Sequence, residues 1–155
     1  SVGECIYKVS PTWKQVVASN DITYFYPSGT TSTNDGVLMV QSEYIDIEND
    51  LLDEFFDGSI QGLEKYLTNI KILEQKNIRI ANSDGRKLYL SGNSNEDVYE
   101  FESVIFINNG ICYTFIFTHK DNITSSLNSD FNKIVQSISF VNNNTPNIVV
   151  PKVGD

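Results

Sequence analysis

Apolar positions fall in short β-like runs over residues 5 to 45, at helical spacing over 49 to 67, in β-like runs again from 71 to 119, and at helical spacing from 125 to 140. The clearest stretch is VYEFESVIFINNGICYTFIFTH at 98 to 119, two β-prone runs meeting at Asn109-Gly110, the dipeptide that a type I′ hairpin turn favours. With those two residues as the turn, Asn108 faces Ile111, and the period of two sorts every side chain. One face carries Phe106 opposite Tyr113, Val104 opposite Phe115, Glu102 opposite Phe117 and Glu100 opposite His119. The other carries Tyr99, Phe101, Ser103, Ile105, Ile107, Cys112, Thr114, Ile116 and Thr118, apolar but interleaved with hydroxyls. The aromatic face is expected under helices, and the mixed face against something smaller or along a groove.

Earlier in the chain, CIYKVS and DITYFYP read as two short strands, TSTNDG at 31 to 36 as a loop, and VLMVQSEYI at 37 to 45 as a third strand. Asn49 can cap a helix whose first turn is acidic (Asp50, Asp53, Glu54), matching the positive end of the helix dipole. Leu52, Phe56, Ile60, Leu63 and Leu67 form its sheet-packing stripe, widened by Phe55 and Tyr66. Gly58 and Gly62 predict either a bend near Asp57 or a close approach to the sheet. Residues 71 to 92 read as two strands around an Asp84-Gly85 turn, followed by a polar loop at 91 to 97. Leu127, Phe131, Ile134 and Ile138 predict a closing amphipathic helix over 125 to 140. The remainder, NNNTPNIVVPKVGD, reads as a tail or linker in which IVV can dock as an edge strand.

Strands, a helix, four strands in two hairpins and a helix make an α+β order, with a largely antiparallel sheet of about six strands flanked by helices on both faces. The domain assignment is one α+β unit over 1 to 140 and a tail over 141 to 155. At 155 residues a chain of this length supports one core without staples or metal.

Charge narrows the partners. Eleven Lys and Arg against twenty Asp and Glu give a net charge of −9 and disfavour nucleic acid. No apolar run is long enough to span a membrane. The start at Ser1 fits removal of an export signal or an upstream lipid anchor, and equally fits a trimmed end.

Candidate chemistry is sparse. His119 is the single histidine, and hairpin register sets it on the opposite face from Cys112, ~24 Å away along one strand, so the two form no dyad. It is expected beside Glu100 without a catalytic role. Cys112 is expected as a small buried hydrophobe, with a disulfide to Cys5 as the alternative. The acidic stretch from Glu43 to Asp57 lacks the calcium-loop glycine, having Leu51 in its place, and Asn93, Asn95 and Asp97 fail likewise at Val98. Phosphate-loop, dinucleotide, zinc-protease and dithiol motifs are absent, and no cofactor is implied. Glu100 and Glu102 share a strand face, but a glycosidase pair also needs a cleft. Tyr24, Phe25 and Tyr26 are assigned mainly to packing.

The succession YKVSPTWKQ, ITYFYP, VLMV, an acidic helix, two hairpins and a closing FNKIVQSISF resembles the PsbP-like α-β-α sandwich superfamily over about residues 5 to 140. That superfamily includes the extrinsic photosystem II subunit, a Ran-binding import factor and many bacterial lipoproteins. The resemblance implies an antiparallel sheet between helices and a binding role, with no shared catalytic set. The resulting expectation is a non-enzymatic, exported bacterial binding domain, extracellular or at the cell envelope and lipid-anchored in one version. It would hold a protein or small ligand on Tyr99, Phe101, Ser103, Thr114 and Thr118. The alternatives are a small hydrolase-like enzyme with a sheet-lined pocket holding His119 and a carboxylate, and a structural extracellular module.

Overall fold

The computed structural model describes residues 4–27, 36–45, 52–120 and 125–141. Among these described residues, nine strands and two helices follow in the order β1 (Glu4–Ile6), β2 (Lys14–Val17), β3 (Ile22–Tyr26), β4 (Val37–Tyr44), α1 (Leu52–Glu64), β5 (Thr68–Ile80), β6 (Ser83–Ser94), β7 (Asp97–Asn108), β8 (Ile111–Lys120), α2 (Ser125–Gln136) and β9 (Ser139–Val141). Seven strands form one antiparallel sheet ordered β2-β3-β4-β8-β7-β6-β5. The remaining two, β1 and β9, pair as a separate ribbon. The α+β class and the antiparallel sheet stand as expected, with one more strand in the sheet than anticipated.

The Asn109-Gly110 turn has the expected geometry. Both residues have positive φ, 51° and 77°, and Asn108 faces Ile111. All four aromatic-face pairs, from Phe106–Tyr113 to Glu100–His119, are in the anticipated register.

The preceding hairpin turns elsewhere. Ala81 and Asn82 take positive φ, 49° and 68°, and Ile80 faces Ser83, so Asp84-Gly85 lies inside β6. Gly85 serves close packing instead of a turn. A Cβ there would sit 3.0 Å from the Ile105 carbonyl oxygen and 3.2 Å from the Phe106 Cβ. Asp84 closes the hairpin from its side, accepting a 2.7 Å bond from Arg79. The expected loop at 91 to 97 shrinks to Asn95-Glu96, because Ser94 still pairs with Asp97 and Asn95 takes the left-handed conformation.

Three further expectations are corrected. Lys14–Val17 is a strand, and its exposed edge position left no hydrophobic alternation to read. The closing helix stops at Gln136. There Ser137 bonds the Ile134 carbonyl through its hydroxyl at 2.6 Å, while the same hydroxyl accepts from the Lys8 amide at 2.8 Å, and the chain turns out into β9. Finally, α1 runs unbroken through both glycines, and a Cβ at Gly58 or Gly62 would meet nothing within 4 Å, which removes the close approach. Gly58→Ala is therefore expected to raise stability by about 0.5–1 kcal/mol, since only backbone entropy changes. An unchanged urea midpoint would contradict this.

The sheet separates two apolar clusters. On the aromatic face Phe106, Tyr113, Phe115 and Phe117 pack with Trp13, Phe25 and the α2 residues Phe131 and Ile134. On the mixed face Ile105, Ile107, Cys112, Leu88 and Leu90 pack with Phe56, Ile60 and Leu63 of α1 and with Leu67. Leu67 lies beyond the helix yet stays buried, whereas Tyr66 is exposed. Phe25 joins the core as expected, and Tyr24 and Tyr26 are half-buried neighbours. The proposed cap Asn49, the acidic residues 46 to 50, the loop residues 31 to 35 and the IVV segment lie outside the described residues.

Candidate functional site

A cavity of about 510 Å³ opens between α1 and the mixed sheet face. Its floor comes from four strands, with Met39 on β4, Leu88 and Leu90 on β6, Ile105 on β7 and Ile116 on β8, and its roof includes Gly62 and Leu63 of α1. Ser103, Thr114 and Gln41 set polar groups into this apolar lining, and Glu43 is the single charged residue among the described residues that line it. Such a site is suited to a small, mostly apolar molecule oriented by a few hydrogen bonds.

Of the five residues singled out on this face, Phe101, Ser103 and Thr114 line the cavity. Tyr99 and Thr118 share the face but sit outside the lining, Tyr99 across from Gly92 and Lys120, Thr118 across from Phe101 and Val37. Alternation along one hairpin was enough to set the first three on that face. It does not show Met39, Gln41, Gly62 or Leu63, which arrive through the β4–β8 pairing and the docking of α1.

Cys112 also lines the cavity. Burial, and then the Glu43 carboxylate, push its thiol up to about 11, so it remains a protonated, unreactive group. Neither cysteine is in a disulfide. Cys5 packs on the aromatic side and Cys112 on the mixed side, which explains why they do not meet.

On the opposite face, His119 is fully buried between acceptors. Its Nδ1 lies 2.7 Å from the Lys120 carbonyl oxygen and its Nε2 3.2 Å from Glu102 Oε2, with Glu100 Oε1 at 3.9 Å. Tyr89 donates its hydroxyl to Glu100. Since both ring nitrogens face acceptors, the geometry favours the doubly protonated imidazolium. Burial opposes the charge, but the Glu102 hydrogen bond, the Lys120 carbonyl and the two carboxylates outweigh it and raise the His119 pKa above its ordinary value. The Tyr89 phenol is pushed up by burial and by its bond to Glu100. His119 thus lies beside Glu100 as expected, but its closer partner is Glu102. The hairpin register had already set all three on one face. Among the described residues, no group of three or more His, Cys, Asp or Glu is arranged to hold a metal, and no helix is long and apolar enough to cross a membrane.

No protein-family model and no curated protein sequence matches the chain. Solved structures do. LpqN of Mycobacterium tuberculosis, described as involved in cell envelope biogenesis, aligns over 90% of this chain and 84% of its own, at 14% identity and a TM-score of 0.68. The cyanobacterial PsbP (CyanoP) of Synechocystis sp. PCC 6803 aligns over 90% and 92%, at 12% identity and a TM-score of 0.60. PA94 of Pseudomonas aeruginosa, a protein of unknown function and putative regulator, aligns over 81% and 94%, at 8% identity and a TM-score of 0.57. At such identities the likeness is one of backbone architecture, carried by the antiparallel sheet and its covering elements, and in that sense the chain has the PsbP-like fold.

Proposed function

We propose that this chain is a non-enzymatic binding domain of the bacterial cell envelope whose ligand, a small apolar or amphiphilic molecule, occupies the cavity under α1. The observation that carries this reading is the cavity itself, a space of about 510 Å³ with an apolar floor and hydroxyls from Ser103 and Thr114. Cell-envelope location draws support from the likeness to LpqN, and an export signal or lipid anchor upstream is consistent with it. The architecture we infer is an α-β-α sandwich in one domain over residues 1 to 140. The tail then starts at or just after Val141, the last residue of β9. The hydrolase alternative has less support, because His119 is fully buried with both ring nitrogens engaged and lies apart from the cavity lining.

The test uses the neutral reporter N-phenyl-1-naphthylamine, whose fluorescence rises in apolar sites. Saturable binding is expected, weakened about tenfold or more by Gly62→Leu, a loss of about 1.4 kcal/mol. A Cβ at Gly62 has open space around it, so the leucine fills the cavity without a clash and adds helix propensity of about 0.5–1 kcal/mol. Absent binding, or binding indifferent to Gly62→Leu in a folded variant, would overturn the reading.

A further inference from the structure

A second opening, of about 310 Å³, lies on the other face of the sheet, between the β5–β6 hairpin and α2. Its floor is apolar, including Ile78, Val104, Phe131 and Ile138. Lys76 and Lys87 stand at its side, directly opposite one another on neighbouring strands, and Lys87 in turn faces Val104 on β7. Like charges directly across a strand pair repel, and here Glu74 relieves them. Its two oxygens reach Lys87 Nζ at 3.0 Å and Lys76 Nζ at 3.6 Å. The Lys87 hydrogen bond, ahead of its charge, lowers the Glu74 pKa. One carboxylate thus already occupies the position between two ammonium groups.

Placing two of only eleven cations side by side over an apolar floor, in a chain of net charge −9, sets up charge complementarity for one kind of guest. We propose that this groove binds an amphiphilic carboxylate, with its tail along Ile78, Val104 and Phe131 and its head group between Lys76 and Lys87. The incoming carboxylate displaces that of Glu74. Lys76 is exposed and Glu74 and Lys87 are partly so, with side-chain exposures of 53%, 39% and 25%, so the ion pairs given up are weak ones. What replaces them is a charge-assisted contact plus burial of the tail. The cavity under α1 has the opposite bias, with Glu43 as the only charged residue among the described residues of its lining, so the two faces of the sheet select different guests.

Isothermal titration calorimetry with decanoate below its micellar range tests the assignment. The wild type is expected to bind, and K76A/K87A to lose about tenfold or more in affinity, while Glu74→Gln, which frees both lysines, gains affinity. Gly62→Leu should leave decanoate binding unchanged, which separates this groove from the cavity under α1. Decyl maltoside, with the same tail and no charge, should not compete at equal concentration. No decanoate binding, equal binding to K76A/K87A, or loss on Gly62→Leu alone would each overturn the proposal. The lysines are at least partly exposed, and retained thermal stability of the double variant confirms that lost binding is not lost folding.

Discussion

Replacing His119 with leucine is expected to destabilise the fold by about 3–5 kcal/mol, the cost of leaving one member of a buried ion pair without its partner. Glu102 is 7% exposed, so water cannot take over the role of the imidazolium. The Lys120 carbonyl loses its donor as well, and Tyr89 then holds only the outer carboxylate, Glu100. His119→Gln retains one donor and should fall between wild type and His119→Leu. Because folding raises the His119 pKa, its contribution is complete below its unfolded value of about 6.5 and is lost as pH rises through the higher folded value. Urea unfolding from about pH 5.5 to about pH 9 should therefore show wild-type stability falling relative to either variant over the upper part of that range. A His119→Leu variant within about 1 kcal/mol of wild type, or a pH dependence parallel to it, would show that the pair is neutral.

Phe106→Ala is expected to cost about 3–5 kcal/mol, as removal of a fully buried aromatic side chain does. The ring stacks on Tyr113 at 5.3 Å between centroids and on Phe115 at 6.0 Å, and meets Phe140 of β9 edge-on at 6.0 Å. Its loss opens a void between the sheet and the β1–β9 ribbon. Ser103, three residues earlier on the opposite face, borders open cavity, so Ser103→Ala should change stability by no more than about 0.5 kcal/mol. The contrast measures the asymmetry of the sheet. Comparable losses at the two positions in urea titrations would mean that the mixed face is packed like the aromatic one.

The hairpin register was legible because Asn109-Gly110 tolerates two positive φ angles and leaves a single phase for the alternation on either side. From it follow the Glu102–Phe117 and Glu100–His119 pairs, and hence the three residues that form the buried ion pair network. The same reasoning went astray at Asp84-Gly85, a dipeptide that hairpin turns favour, because the turn falls three residues earlier, at Ala81-Asn82, a pair that carries no such signal. Gly85 instead pairs with Phe106 inside the sheet, where a Cβ would come within 3.0 Å of the Ile105 carbonyl oxygen. Helical spacing likewise runs through Ile138 and cannot register that Ser137 ends α2 by bonding back to Ile134 and forward to Lys8, 129 positions away in sequence. The cavity was visible only as a hydroxyl-bearing strand face, and its size depends on how far α1 stands off that face.

Local pattern in this chain therefore specifies what neighbouring residues settle among themselves: strand and helix periods, a type I′ turn and which side chains share a face, alongside a net charge of −9. Long-range packing specifies the rest. The pairing of β4 with β8, the β1–β9 ribbon and the groove between the β5–β6 hairpin and α2 all join segments whose proximity no short window encodes. The physical reason is that hydrogen bonding and alternation act over a few residues, whereas cavities and buried charges are set by where two covered faces of one sheet leave space.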